Sequence, residues 1–500
     1  MKRRIISGKA AVGGIAAENY GRIGLTDENN NGGKHKIAAR INAEEICAGG
    51  VAGFNTGIID GFLLTESVTG TASYIGGITG INYGTVRNVG MEGKGISVSG
   101  KSYAGGDIGY MRNLTSNPVV FGGTENEPLL GLAEVTVTGE QTRNDYVGNA
   151  GGLIGYIDNR EDDKGIEIQY CKVTNKVTAI LGNAGGITAY NDSVIQMCNM
   201  SGTVESNRGI SGGITAVNGE KAGIYGCVTE HENDKTTIVT GTESAGGIAG
   251  ENNGRISSCI VKPAIRIQNL SSVSGEAYLG GITGKNGKTG IIGDTDQYGC
   301  WVGDNSSPVD LYAYTSNCRV GGIAGENSGK IYGYGKSNDQ KTDRIYIRTH
   351  CGSDSVTGWF GGAVGINISA SILKGVQCVG YIEGYNGSSG GFGGIAGQNE
   401  SEISECTFNG IIRAQGASND FVSVGGIAGK NTSEGMIKEC LVGVKNRKIP
   451  EWARKDSGLN TGEDTTVVSA LKGKESCGYV GGIAGKNDGT VSDIKCKDAT

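Results

Sequence analysis

The segment Val-Gly-Gly-Ile-Ala-Gly-Lys-Asn occurs at 424–431 and again at 480–487, and variants of it recur fourteen times along the chain. Counted from the first Gly of each pair, the copies start at Gly13, Gly49, Gly76, Gly105, Gly151, Gly185 and Gly212, then at Gly246, Gly280, Gly321, Gly361, Gly393, Gly425 and Gly481. Successive copies lie 27 to 56 residues apart. That period marks stacked repeats, because one such unit cannot bury an apolar face alone.

The register inside each copy predicts a strand with a defined inner side. The third position is Ile in ten copies, with Val51, Leu153, Ala363 and the outlier Asp107 in the others. Two residues on comes Gly or Ala, and two further on comes Asn. Residues two apart share a face of a strand, so these three positions face inward together. The Asn is present in twelve copies, as Asn19, Asn55, Asn82, Asn191, Asn218, Asn252, Asn286, Asn327, Asn367, Asn399, Asn431 and Asn487. An amide can bond backbone or the next amide in a stack, so twelve in register predict an asparagine ladder. After the Asn come a short Gly or Ser turn and then Ile-x-x-Cys, as at Ile168–Cys171, Ile195–Cys198, Ile224–Cys227, Ile256–Cys259, Ile403–Cys406 and Ile437–Cys440. Val-, Ile- and Thr-rich stretches such as Val135–Thr138 often follow. The expectation is roughly three short strands per repeat and an all-β, right-handed parallel β-helix solenoid of about fourteen coils.

The run Gly-Gly-Ile-Ala-Gly-x-Asn-x-Gly-x-Ile-x-x-Cys at Gly246–Cys259 resembles the GLUG motif, and Gly393–Cys406 matches it with Ser401 in place of one Gly. The resemblance covers nearly the whole chain. It implies a repeat region of the kind found in large surface proteins of Gram-positive bacteria, including streptococcal immunoglobulin A peptidases, and within those proteins the non-catalytic part. Two copies depart from the pattern, with Met111 and Ile157 in the Asn slot. Those two coils are expected to be less regular.

Composition fits a slim interior. There are 92 Gly and 5 Pro, no triplet period, and 6% aromatic residues. A net charge of −6 is too small to draw a chain of this length to nucleic acid or an anionic bilayer. No run of eighteen apolar residues exists, so direct membrane insertion is not expected. The start, Met1-Lys-Arg-Arg-Ile-Ile-Ser-Gly, has a basic stretch without an apolar one behind it. The expectation is therefore a piece of a longer extracellular or cell-surface chain whose export signal and anchor lie elsewhere. Thirteen cysteines include no Cys-x-x-Cys pair. A buried stack of thiols is the preferred reading, with Cys300–Cys318 and Cys477–Cys496 as the disulfides to test.

Loop insertions are expected at about 110–145, 290–317, 333–356 and 443–477, and in solenoids such loops often carry the binding face. Two tryptophans fall there. Trp301, Tyr312 and Trp452 are accordingly the candidate binding residues, with both tryptophans expected to reach solvent, whereas Trp359 abuts a Gly-Gly corner and is expected to pack.

Catalytic patterns are thin. Asp294, Asp296 and Asp304 form the nearest approach to a carboxylate cluster, but no Asp recurs at one slot in neighbouring coils. Glu161-Asp162-Asp163 reads as an acidic loop tip. His35, His231 and His350 are far apart, and His231-Glu232-Asn233-Asp234-Lys235 lacks the second His of a zinc peptidase. Gly284–Thr289 ends in Gly-Lys-Thr, yet Ile282 stands where a phosphate loop needs Gly. No catalytic, cofactor or metal residue is assigned. The favoured expectation is a non-catalytic adhesin, stalk or binding scaffold whose partners are glycans or host or neighbouring-cell surface proteins. The rival is a carbohydrate-active β-helix enzyme, a polysaccharide lyase or glycoside hydrolase.

Overall fold

A computed structural model describes residues 4–24, 34–93, 95–141, 146–160, 163, 165–231, 237–270, 275–293, 299–333, 345–351, 358–386, 390–416, 422–443, 448–458, 466–471 and 478–494. The chain forms two compact units, Met1–Thr237 and Ile238–Thr500, and each holds seven of the Gly-Gly copies. Within each unit the copies stack as coils of a parallel β-solenoid, and among the described residues the fold is all-β apart from one short helix.

One coil of the first unit shows the plan. Its strands are Asn183–Gly185, Thr188–Asn191, Val194–Gln196, Asn199–Met200 and Val204–Ser206. Each pairs in parallel with its equivalent in the next coil, as in Gly185↔Gly212, Asn191↔Asn218 and Ile195↔Ile224. Like therefore stacks on like. The second unit repeats the plan, with Gly361↔Gly393, Asn367↔Asn399 and Leu373↔Ile403. The count of strands per coil is higher than the three expected: in this coil the return side is split into two short strands, Asn199–Met200 and Val204–Ser206.

The Gly-Gly pair is a steric requirement. A Cβ on Gly49 would lie 2.1 Å from the Ala52 carbonyl oxygen, and one on Gly50 would lie 2.2 Å from the Gly77 oxygen of the next coil. The first Gly lets the chain turn a corner, and the second lets coils approach to hydrogen-bonding distance, with Gly50 N donating to Gly77 O at 2.9 Å. The Ile-x-x-Cys corner works differently. The residue just before the Cys is left-handed, at Tyr170, Met197, Ser258, Glu405 and Glu439 as well as at Gly226. That turn aims the thiol inward, and Cys171, Cys198, Cys227, Cys259, Cys406 and Cys440 are all buried.

The asparagine ladder is present in both units. In the first, Asn19 donates to Asn55 at 2.7 Å, Asn55 to Asn82 at 2.7 Å and Asn191 to Asn218 at 2.9 Å. In the second the chain of amides runs Asn252, Asn286, Asn327, Asn367, Asn399, Asn431, Asn487, each link 2.8–3.0 Å. Every link has the same polarity, Nδ2 of one coil to Oδ1 of the next. Backbone groups set that polarity: Nδ2 of Asn55 also donates to the Gly57 carbonyl, while Oδ1 of Asn327 accepts from the Gly329 N–H.

The Met111 and Ile157 coils, expected to be less regular, keep the register. Met111 pairs with Asn82 on one side and Ile157 on the other, and both side chains are buried. Apolar groups fill the slot without needing a partner, so the ladder lapses but the stack continues. The four stretches expected as insertions each return strands to the stack. Val119–Gly122, Leu129–Gly131 and Glu134–Val137 pair with the next coil, as do Trp301–Val302, Val309–Ala313 and Ile345–Cys351. Val467–Leu471 pairs back onto Ile411–Gln415. Cys300 and Cys318 are buried free thiols, and Cys477 and Cys496 lie outside the described residues.

Asp107 breaks the interior rule. It occupies the Ile slot, is fully buried, and neither carboxylate oxygen has a hydrogen-bond partner among the described residues. Burial pushes its carboxyl up to about 7, against a smaller pull from the charge of Lys34.

Two outcomes follow from this arrangement. Asn399→Leu should lower the stability of the second unit by about 2–3 kcal/mol, because it removes one interior hydrogen-bond partner from each of Asn367 and Asn431; urea unfolding measures it. Asp107→Ile should stabilise the first unit. The folded chain keeps a proton that the unfolded chain releases between the ordinary carboxylate range and about 7, so wild-type stability falls as pH rises through that window. The gain from Asp107→Ile should thus be small near pH 4 and reach a few kcal/mol, as an order of magnitude, above pH 7. Melting curves at the two pH values would show a pH-independent gain if burial of this carboxyl were not the cause.

Candidate functional site

Three candidate residues, Trp301, Tyr312 and Trp452, all fall in the second unit, in three different settings. Tyr312 lies on Val309–Ala313, whose alternation sends Val309, Leu311 and Ala313 inward and Asp310 and Tyr312 outward. The adjacent strands place Arg266 and Arg348 beside Asp310, and Gln268 and His350 beside Tyr312. The Tyr312 ring stacks on His350, with centroids 4.1 Å apart and planes 8° from parallel. From the preceding coil the Arg266 guanidinium sits 4.5 Å from the Tyr312 centroid.

Beneath the ring, Asp310 accepts from Arg348 Nε at 2.7 Å and Nη2 at 3.1 Å and pairs with His350 Nε2 at 3.2 Å. Burial pushes the Asp310 carboxyl up, but the hydrogen bonds and charges of His350 and Arg348 outweigh it and hold the group below its ordinary value. Arg348 also pairs with Asp456. The arrangement joins three coils by side chains, and it was not legible as a site. Only Tyr312 and His350 stood out in the sequence, because Arg266, Asp310 and Arg348 acquire meaning through cross-coil register.

Asp456 belongs to helix α1, Glu451–Ser457, which starts after Pro450 and stops at a left-handed Gly458. Trp452 rides on this helix rather than on a surface loop. It packs on a cluster of Tyr381, Ile411, Ile449 and Ala453, and its indole Nε1 is buried with no hydrogen-bond partner among the described residues. Trp452, expected to reach solvent, is half-buried: the helix covers outward-facing apolar residues of the sheet, and one side of Trp452 packs on them. Arg413 anchors the helix end by donating to the Ser457 carbonyl at 2.9 Å. Trp301 lies on a two-residue strand beside Ile260 and is 38% exposed. Trp359 is half-buried between Arg319 and Gly391 of its neighbouring coils.

The carboxylates weighed for catalysis are mostly structural where they are described. Asp304 closes a turn by accepting from Ser306 N–H at 2.8 Å and Ser307 N–H at 3.1 Å. Asp163 takes a two-point contact from Arg112 at 2.7 and 2.9 Å, which holds its carboxyl below the ordinary range. Asp294 and Asp296 lie outside the described residues. Among the described residues, no group of three or more His, Cys, Asp and Glu side chains is disposed to hold a metal ion.

A larger outward array in the first unit was not singled out from the sequence. Tyr74 stacks on Tyr103 at 4.9 Å, and Tyr110, Tyr156 and Tyr190 form a second stacked column at 5.8 and 4.5 Å. The two columns meet edge to face, as in Tyr103 against Tyr156 at 86°. Burial raises all five phenols, and Tyr110 also donates to Asp158 at 2.6 Å. The signal was available: Tyr110, Tyr156 and Tyr190 occupy the position just before the Asn slot, which strand parity turns outward. A related outward cluster in the second unit sets Lys285 and Arg319 over Tyr278, at 4.5 and 5.1 Å.

No known protein family, no characterised protein and no solved structure matches this chain.

In acrylamide quenching of the folded protein, Trp301 should be quenched more strongly than the half-buried Trp452. Trp452→Ala should destabilise the second unit by about 1–2 kcal/mol through lost packing on Tyr381 and Ile411, whereas Trp301→Ala should change stability less. Equal quenching of the two indoles in single-tryptophan variants would contradict this placement.

Proposed function

We propose that this chain is a non-catalytic, extracellular or cell-surface binding scaffold of the GLUG-repeat kind, acting as an adhesin or stalk. The observation that carries this reading is the use made of the outward side chains. Arg266, Asp310, Tyr312, Arg348 and His350 in the second unit, and the Tyr74–Tyr190 array in the first, tie successive coils to one another and present rings, hydroxyls and guanidinium groups on an outward face. Such groups suit the polar and apolar faces of glycans or the surfaces of proteins. The repeated motif supports the same reading, since its Gly, Ile and Asn positions are all consumed by stacking.

A second reading, a carbohydrate-active enzyme, has one observation in its favour: the His350–Asp310 pair on an outward face. Against it, Asp310 is already engaged by Arg348 on both oxygens.

The test is binding of the purified 500-residue chain to an array of polysaccharides and glycoproteins, followed by sizing of the bound ligands. Retention without shortening is expected, with weaker retention for Tyr312→Ala or Trp301→Ala. Shortening of a polymer, lost in His350→Ala, would establish the enzyme reading instead.

A further inference from the structure

Arg266, on the outward face of the second unit, has a guanidinium without a counter-charge, and we propose that it receives the carboxylate of a uronic acid residue in a glycan. The proposal rests on the scaffold reading above and names its ligand. Arg266 is half-buried at the start of the strand Arg266–Asn269. Its Nε is buried without a hydrogen-bond partner, and its terminal nitrogens meet no acceptor among the described residues. Other outward arginines of this unit are engaged. Arg319 pairs with Glu276 and Glu326, Arg348 with Asp310 and Asp456, and Arg413 donates to the Ser457 carbonyl.

Register explains why this group stays uncommitted. Strand pairing sets Arg266 between Ile238 of the preceding coil and Asp310 of the following one. Ile238 offers it no acceptor. Asp310 is already taken, since it accepts two bonds from Arg348 and meets His350 Nε2 at 3.2 Å. Arg266 instead lies over the Tyr312 ring, 4.5 Å from its centroid, and that ring is itself fixed by stacking on His350. A guanidinium held by stacking has given up much of its rotamer freedom in advance, and its planar fork meets a carboxylate at two points.

The groups beside the fork point to a sugar. Gln268 lies two residues along the same strand, roughly 7 Å away, and pairs in register with Tyr312. Its amide nitrogen donates to the Thr240 hydroxyl at 3.1 Å, which leaves the amide oxygen to accept. The Tyr312 hydroxyl has no hydrogen-bond partner among the described residues. A uronic acid carries its carboxylate and its hydroxyls on one rigid ring of about that span, so a carboxylate on Arg266 sets ring hydroxyls toward Gln268 and Tyr312. An acidic peptide presents its carboxylate on a flexible stem with no hydroxyl behind it, and ordering that stem costs affinity.

Calorimetric titration of the full 500-residue chain with oligogalacturonate, and with the same oligomer methyl-esterified, tests the proposal. Wild type should bind the acid roughly tenfold more tightly than the ester, the worth of one charge-assisted contact. Arg266→Gln should erase that preference by weakening the acid alone. Arg266→Lys should restore only part of it, because an ammonium keeps the charge but not the two-point fork. Melting curves check that both variants fold. Equal affinity of wild type for acid and ester would overturn the proposal, as would an Arg266→Gln variant that keeps the preference, or failure to bind either oligomer. Polyglutamate bound as tightly as oligogalacturonate would also overturn it, since charge alone would then suffice. Neutral glycans held equally by wild type and Arg266→Gln, with no preference for the acid, would sink this proposal and leave the scaffold reading standing.

Discussion

Coils in this protein approach one another closely enough for backbone groups to bond, and where one coil lies on the next that distance leaves no room for a Cβ at the second Gly of the pair. A Cβ on Gly247 would lie 2.3 Å from the carbonyl oxygen of Gly281, and one on Gly426 would lie 2.2 Å from that of Gly482. Much else depends on this contact. It holds Ile, the small residue and Asn of one coil directly over the same residues of the next, and so converts a repeated sequence into repeated layers. A slip of one residue would send the Ile and Asn side chains to the outside.

Register in turn explains why so many polar groups are buried without penalty. Each ladder Asn that has an Asn coil on both sides is satisfied by backbone carbonyls or N–H groups near its turn and by the amides above and below it, as at Asn286 and Asn399. Where the slot holds Met111 or Ile157, the same register brings apolar neighbours together instead. Asp107 shows the contrary case, an acid at the Ile slot with nothing to pair with, whose burial raises its pKa to about 7. The stack tolerates one such residue because the backbone ladder on both sides does not depend on the side chain.

The outer surface obeys the same geometry with different consequences. Outward residues one coil apart are neighbours, so Tyr110, Tyr156 and Tyr190 become a column although they are tens of residues apart in sequence. Asp310, Arg348 and His350 become one hydrogen-bonded group in the same way. Helix α1 seals a part of the second unit where the outward face is apolar, at Tyr381 and Ile411. A chain with this surface has its chemistry written across coils rather than within them.

From the sequence alone came the repeat, its inward triplet, the parallel β-solenoid and the asparagine ladder, because each depends on residues a fixed few positions apart. The buried thiols after Ile-x-x belong with these. Tertiary structure decided what depends on which coil lies beside which. The stretches at 110–145 and 290–317 return strands to the stack, since alternating residues such as Val309, Leu311 and Ala313 re-enter the core once a corner has lengthened. Trp452 is a covering residue because a short helix, set between Pro450 and Gly458, lays it on apolar groups more than forty residues upstream in Ile411 and earlier. The Tyr312 group and the tyrosine array also needed the structure, for their members meet only through cross-coil pairing. Local spacing determines a coil; the neighbours of a side chain are set by how much chain is spent between coils, and that length varies from copy to copy.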